Sequence, residues 1–385
     1  MVNDLDIDVA VIGAGPSGAR AAAVLAAAGH RVRLFERDTQ PGIPLHCTGI
    51  VSKECFDMYA FPEDLILHEI QSFILRSPKG KGALVNRDNV QAYVLDRLKL
   101  DLHLVNLAVE AGAELFTSSE VTDLKWDDLY VTLSLNTKGV VKEIKSRSAI
   151  VATGYGAPLA RRLGLNRKME IISGCQALVE TSNIQNVEIF TGGNFGHGGF
   201  GWLVPHTKGH ALSGVLTRKH SYKLMESHIH QLQKESRIGA VKSVYRCRPI
   251  PLGISDCSVL NRVIGVGDVV NQVKPTTGGG IYYGLLGADA AAETLSNALE
   301  VDDLTANALK PYETKWKSIM AAEITSGYHL RKFTEQLPDN MLEQMHKLLR
   351  VPGVKNILTS GSMPFDWHSG PLIKFINLLS RQIAR

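Results

Sequence analysis

The 385-residue sequence predicts a mixed α/β fold, α+β overall, built on a Rossmann-like dinucleotide-binding domain. Three observations predict it. A β-rich run, Asp8-Val9-Ala10-Val11-Ile12, passes directly into Gly13-Ala14-Gly15-Pro16-Ser17-Gly18. A second glycine-rich segment, Gly267-Asp268 followed by Lys274-Pro275-Thr276-Thr277-Gly278-Gly279-Gly280-Ile281, opens a helical run about 250 residues later. From Asp302 onward, apolar residues recur at helical spacing.

Taken in order, the first element is a complete βαβ unit. Ala19 to Ala28 is almost pure helix former and stops at Gly29, as a helix C-terminal glycine does. The next strand, Arg31-Val32-Arg33-Leu34-Phe35, ends on Glu36. Gly13, Gly15 and Gly18 occupy the three positions this geometry demands: a tight turn, close approach to a pyrophosphate, and close helix–strand packing. Ser17 lies in the first turn of the helix, whose N-terminal N–H groups and positive dipole end suit phosphate. Glu36 stands where a carboxylate accepts hydrogen bonds from ribose hydroxyls. This unit alone does not choose between NAD and FAD.

The later segments choose FAD. Ala149-Ile150-Val151-Ala152-Thr153-Gly154 and Arg262-Val263-Ile264-Gly265-Val266-Gly267-Asp268 both read as buried strands running into glycine. The Asp268 carboxylate suits a ribityl hydroxyl. Gly279, Gly280 and Ile281 would present backbone N–H groups to the pyrimidine edge of a flavin, which becomes anionic on reduction. Asp96-Arg97 and the following Asp101, Leu104 and Ala108 look like the helix of flavoprotein hydroxylases whose arginine reaches the FAD phosphates.

Composition sets bounds. Hydrophobic residues make up 44% and charged residues 21%, ordinary for a soluble globular protein, and a net charge of +4 is too small to argue for nucleic acid. No uncharged apolar run is long enough to span a bilayer, and the first residues carry no signal-peptide pattern. A cytoplasmic protein is expected, with any membrane contact peripheral. Cys47, Cys55, Cys175, Cys247 and Cys257 form no CxxC pair, so no metal or iron–sulfur site is implied and reduced thiols are expected. A Cys247–Cys257 bridge is conceivable in geometry and disfavoured in a reducing compartment.

Three segments together carry a family resemblance: Pro41-Gly42-Ile43-Pro44-Leu45-His46-Cys47-Thr48-Gly49, Phe200-Gly201-Trp202-Leu203-Val204-Pro205, and Pro275 through Ile281. With them the chain resembles the geranylgeranyl reductase family, within the p-hydroxybenzoate hydroxylase-like flavoproteins, over nearly its whole length to at least Trp367. The resemblance implies a discontinuous FAD-binding domain over residues 1–70, 90–170 and 250–300. A mainly antiparallel substrate sheet would occupy 71–89 and 171–249, and a helical region 301–385. The implied activity is FAD-dependent saturation of isoprenoid double bonds, with a prenyl lipid as substrate. The electron donor would be ferredoxin, reduced deazaflavin or NAD(P)H. Arg37, Cys47, Thr48, Gly49, Arg97, Val121 and Gly154 join the implied cofactor contacts. Two departures stand out: Thr153-Gly154 lacks the aspartate of the hydroxylases, and Phe200 and Val204 replace a tyrosine and a phenylalanine of the family signature.

Reducing an isolated alkene needs a hydride on one carbon and a proton on the other, in an aligned, water-poor site. The resemblance sets Cys47 beside the flavin, either as the proton donor or as a small apolar wall. A thiol carries its proton at neutral pH. His46 either tunes that thiol or faces solvent. Phe200, Trp202 and Pro205 read as alternate residues of one strand, lining a prenyl tunnel or belonging to sheet core. The glycine-rich segment around His197 is either a gate or a plain turn. Tyr282 and Tyr283 either face the ring or pack, and Lys274 either sets a charge near the flavin or is solvated. The last stripe, Leu372, Phe375, Ile376, Leu379 and Ile383, either lies on a membrane surface or docks on its own domain. Flavin monooxygenase, quinone-linked electron-transfer flavoprotein and chemistry-free FAD-binding module are the alternatives.

Overall fold

The computed structural model describes residues 7–165, 170–182, 184–349 and 364–367. The chain divides into two compact units: Met1–Leu45, Arg97–Glu170 and Pro251–Thr325 in the first, and His46–Asp96, Ile171–Ile250 and Ser326–Arg385 in the second. The second unit thus takes in residues 46–70 and 90–96, which the resemblance groups with the cofactor segments. Strands there form a small sheet whose Ile70, Ala92 and Val94 bury against Val187 and Val204, so burial joins them to that unit.

In the first unit, strand Val9–Ile12 pairs in parallel with Val32–Phe35 on one side and Ser148–Val151 on the other. Val263–Gly265 and Glu114–Phe116 extend the parallel sheet, and Val259–Leu260 adds an antiparallel edge. All four residues of Val9–Ile12 are buried, as a central parallel strand covered on both faces requires. Helix Pro16–Ala27 packs against helices Arg97–Glu110 and Ile281–Glu300. A three-stranded antiparallel sheet, Ser119–Trp126, Val131–Thr137 and Val140–Ser146, completes the layer, with Val121, Leu133 and Leu135 joining Ile12, Phe35 and Val151 in one core.

The second unit is built on a sheet whose strands run in the order Arg246–Leu252, Glu170–Glu180, His210–Thr217, Phe200–Pro205, Val187–Thr191, Ser72–Arg76 and Gly82–Asn86. Pairing is antiparallel along the central strands, with a parallel step between Val187–Thr191 and Ser72–Arg76. One face is fully covered: Cys175, Ala177, Val179, Leu203, Ala211 and Val215 bury Met225, Ile229 and Leu232 of helix Ser221–Lys234. Alternation sends Gln176, Trp202 and Gly214 to the opposite face. A smaller sheet, Ile50–Ser52, Ala92–Leu95 and Ile66–Ile70, lies on that side, with Trp202 and Ile50 both packed on its core.

Helices Ala306–Thr334 and Asp339–Leu348 are the described helices of the C-terminal region. The amphipathic stripe from Leu372 to Ile383 lies outside the described residues. No helix among the described residues is long and apolar enough to cross a membrane.

Candidate functional site

The three N-terminal glycines hold three different positions. Gly13 has φ +102°, and a Cβ there would lie 2.6 Å from the Ala152 carbonyl oxygen. A Cβ on Gly18 would lie 1.9 Å from the Gly13 oxygen, so helix and strand touch backbone to backbone. Over Gly15 there is nothing within 4 Å. That opening sits at the N-terminus of helix Pro16–Ala27, where Gly15 supplies no side-chain cap and Pro16 occupies the first turn. A bare, uncapped helix start with room above it suits a pyrophosphate. Glu36 Oε2 accepts from the Ala14 N–H at 2.9 Å and Oε1 from the Asp38 N–H at 2.9 Å, so the carboxylate is fixed beside this loop with lone pairs to spare. Arg37 is exposed and pairs with Asp38 at 3.5 Å. Thr153 Oγ1 is a buried hydroxyl without a hydrogen-bond partner in the protein, and beside it Gly154 has φ +70° with open space over it.

Ser17, expected at the phosphates, turns its hydroxyl toward two bare backbones. A Cβ on Gly267 would lie 2.7 Å from its Oγ, and one on Gly284 2.3 Å. It therefore cements the first glycine loop to the second, leaving its backbone N–H as the group at the helix start. Val121 is likewise part of the core by its side chain.

The second glycine segment is held by a buried network that the sequence reading missed. Tyr312 Oη donates to the Gly265 oxygen at 2.7 Å and accepts from Gln272 Nε2 at 2.9 Å, while Gln272 Oε1 accepts from the Gly267 N–H at 2.7 Å. Burial raises the Tyr312 pKa, which keeps the phenol protonated and donating. Gly287 makes room for Gln272, whose Oε1 would lie 2.0 Å from a Cβ there. Gly284 and Gly287, one helical turn apart in an alanine-rich helix, were the available signal, because interior glycine costs helix stability unless something approaches closely.

Helix Ile281–Glu300 starts at Gly280 without a side-chain cap, giving a second open helix N-terminus. Tyr282 and Tyr283 are buried, in the packing role. Lys274 is not solvated: it is 7% exposed, its N–H donates to the Gly279 oxygen at 3.0 Å, and its Nζ lies 3.6 Å from where a Gly279 Cβ would stand. Arg97 donates to both oxygens of Asp101, at 2.6 and 2.8 Å. Its charge also acts on Asp268, whose Oδ1 would lie 3.0 Å from a Gly280 Cβ.

Enclosure pushes the Asp268 pKa up to about 6, with Arg97 opposing that rise. A carboxyl whose folded pKa lies above the ordinary 3.8 favours folding below that value and loses the advantage as pH rises through about 6. Asp268 is half-buried rather than sealed, so the loss is roughly 2 kcal/mol. Asp268→Asn is expected to be the more stable protein at pH 7 by about that amount, with the difference closing as pH falls from 6 to 4. Denaturant titrations of both proteins across that range check it; a difference independent of pH would refute the assignment.

In the second unit, Cys47 is exposed and its Sγ accepts from the Gly49 N–H at 3.5 Å. The Gly49 oxygen accepts from Leu95 N–H at 2.9 Å, tying the loop to strand Ala92–Leu95. Thr48 Oγ1 donates to Gln176 Oε1 at 3.0 Å. His46 is half-buried and its Nε2 lies 2.6 Å from Arg248 Nη2. A guanidinium only donates, so that imidazole nitrogen accepts.

Strand Phe200–Pro205 is present with the expected bounds, but its residues divide between faces. Phe200 and Trp202 share one face, ring centroids 6.0 Å apart, and both are half-buried. Pro205 points with Gly201 and Leu203 to the other face, because three residues is an odd step along a strand; its place in the expected lining is corrected. Trp202 pairs with Gly214 and Gly214 with Gln176, so the three lie in one row across the sheet. A Gly214 Cβ would lie 2.2 Å from Trp202 Cζ2, so the indole covers that glycine. The row brings Trp202 toward the residue that holds Thr48.

The loop around His197 is anchored. Phe195 is buried, the Gly193 N–H donates to Asp339 Oδ1 at 2.7 Å, and the Gly198 oxygen accepts from Arg331 at 3.1 Å. His197 itself is exposed. The expectation of free thiols is overturned for two cysteines: Cys175 and Cys247 form a disulfide. Cys257, the other conceivable partner, instead directs its Sγ to the Val259 oxygen at 3.4 Å.

A family model described as pyridine nucleotide-disulphide oxidoreductase matches residues 7–196. The chain is 29% identical to a digeranylgeranylglycerophospholipid reductase of Methanocaldococcus jannaschii, covering 90% of this chain and 91% of that protein. It is 30% identical to digeranylgeranylglycerophospholipid reductase 2 of Methanopyrus kandleri, again covering 90% of this chain and 91% of the relative. Among solved structures, a geranylgeranyl bacteriochlorophyll reductase-like protein from Thermoplasma acidophilum superposes with a TM-score of 0.83 at 21% identity, covering 89% of this chain and 91% of that one. At 30% identity over nine tenths of both chains, the chain belongs to the geranylgeranyl reductase family and is a flavin-dependent oxidoreductase.

Proposed function

We propose that the protein is an FAD-dependent reductase that saturates geranylgeranyl-type double bonds of a membrane lipid or a related prenyl compound. The observation that carries the substrate class is the half-buried apolar surface of Phe200, Trp202, Leu212 and Leu178 on the sheet face beside the smaller sheet, with Gln176 as its buried polar member, while the opposite face of the same strands is sealed by a helix. A prenyl chain offers almost nothing to hydrogen-bond, so a receptor for it is a surface of this kind. The names of the relatives agree with it.

FAD is favoured over a mononucleotide by the two uncapped helix starts at Gly15 and Gly280 and by the fixed Glu36 carboxylate. Gly13, Gly15, Ser17, Gly18, Glu36 and Gly154 would hold the adenosine and pyrophosphate part. Asp268, Gly279, Gly280 and Ile281 would hold the ribityl chain and ring, with Arg97, Arg37 and the Val121 backbone as further contacts. Reduced flavin supplies hydride when bound. The chain's own tasks are alignment, exclusion of water by Phe200 and Trp202, and a proton held on Cys47 Sγ. Gly49 N–H orients that sulfur and Thr48 and His46 fix the loop on either side. The electron donor would be ferredoxin, reduced deazaflavin or NAD(P)H, and contact with the bilayer would be peripheral.

The test is anaerobic. Flavin-loaded protein is reduced with dithionite and mixed with a geranylgeranyl lipid, while flavin absorbance and lipid mass are followed together. Reoxidation coupled to a gain of about 2 mass units per double bond is expected. Flavin that stays reduced with every prenyl lipid, yet reoxidises rapidly with a quinone or with oxygen and an aromatic substrate, would sink this reading.

A further inference from the structure

The residue after each cysteine of the Cys175–Cys247 disulfide reaches a residue flanking Cys47. Gln176 accepts from Thr48 Oγ1 at 3.0 Å, and Arg248 meets His46 Nε2 at 2.6 Å. Strand alternation makes this a mechanical arrangement. Cys175 points to the face covered by helix Ser221–Lys234, so Gln176 points to the opposite face. Strand Arg246–Leu252 lies at the edge of the sheet with the strand of Cys175 as its neighbour, and the bridge joins the two 72 residues apart in sequence. The bridge thereby sets where Arg248 stands relative to Gln176, and the two side chains grip the Cys47 loop from both sides.

We propose that the Cys175–Cys247 disulfide is a redox-controlled clamp that positions the Cys47 loop through Gln176 and Arg248. The inference goes beyond the lipid reductase reading and does not depend on which substrate is used. Cys247 is half-exposed and Cys175 buried, so an external dithiol reaches the Cys247 sulfur first. Its thiolate bonds to Cys247 Sγ, the S–S bond breaks, and Cys175 Sγ leaves with the electron pair and takes a proton. The second thiol of the reductant then displaces Cys247, which is also protonated. Two electrons and two protons pass to the protein and the dithiol becomes a disulfide. The edge strand is then free to shift, and the two tethers no longer hold one register. Gln176 and Arg248 are positioning residues for Cys47.

Hydrogen exchange on the flavin-loaded full chain, with and without a dithiol, tests the clamp, and peptide mass spectrometry reports the state of each cysteine. Reduction is expected to speed exchange of the amides in residues 43–49 roughly tenfold, the scale of losing the two side-chain tethers. Amides of helix Ser221–Lys234 are expected to keep their protection. Gln176→Leu and Arg248→Met, each with the disulfide intact, should speed loop exchange by themselves, and the double variant should not respond further to reduction. Cys175 and Cys247 both found as free thiols after diamide treatment would overturn the proposal. So would loop exchange unchanged by verified reduction, or equal loss of protection in the loop and the helix, which would make the bridge a plain structural staple.

Discussion

Gly15→Val is expected to yield a folded protein that no longer retains flavin. Gly15 has φ −70°, a conformation valine adopts, and nothing stands within 4 Å of its missing Cβ, so the fold has no reason to object. The branched side chain would fill the opening at the start of helix Pro16–Ala27 and hold a pyrophosphate off its N–H groups. Flavin affinity should fall by roughly a hundredfold or more, because several charge-assisted backbone contacts are lost together. Gly18→Ala makes the contrasting case. Its Cβ would stand 1.9 Å from the Gly13 oxygen, so helix and strand must part, at a cost of roughly 3 kcal/mol. Thermal unfolding and flavin titration of both variants separate the effects. A Gly15→Val protein that binds flavin normally would remove this loop from the cofactor site.

Cys47→Ala is expected to retain flavin and its photoreduction while losing alkene saturation by roughly 10²–10⁴-fold, the usual worth of a positioned proton donor. Cys47 is exposed and accepts one backbone hydrogen bond, so its removal opens no core cavity and leaves stability nearly unchanged. Cys47→Ser keeps a donor of similar size and should recover part of the rate. Single-turnover reoxidation with a geranylgeranyl lipid measures the step directly, and a full rate in Cys47→Ala would reduce the cysteine to a wall of the site.

The N-terminal βαβ unit, the tight turn at Gly13 and close helix–strand packing at Gly18, Glu36 beside the loop, the helix opening at Gly280 and strand Phe200–Pro205 were all legible in the sequence. Each is local. A turn, an uncapped helix start or a strand is set by sterics and hydrogen bonds within a few residues, and glycine records those demands directly. What the tertiary structure alone decided depends on which distant segments become neighbours. Cys175 finds Cys247 rather than Cys257 because strand order puts Arg246–Leu252 beside Glu170–Glu180, an order that no local pattern encodes. Lys274 is buried because the glycine triplet has no side chains to keep it out. Gln272 and Tyr312 hold the Gly267 turn from 40 residues apart, and only the folded chain shows that the polar groups of one satisfy the other. The sequence by itself determined the cofactor-binding scaffold, through local backbone geometry; the tertiary structure decided the tethers and pairings around Cys47 and Asp268, through long-range burial and strand order.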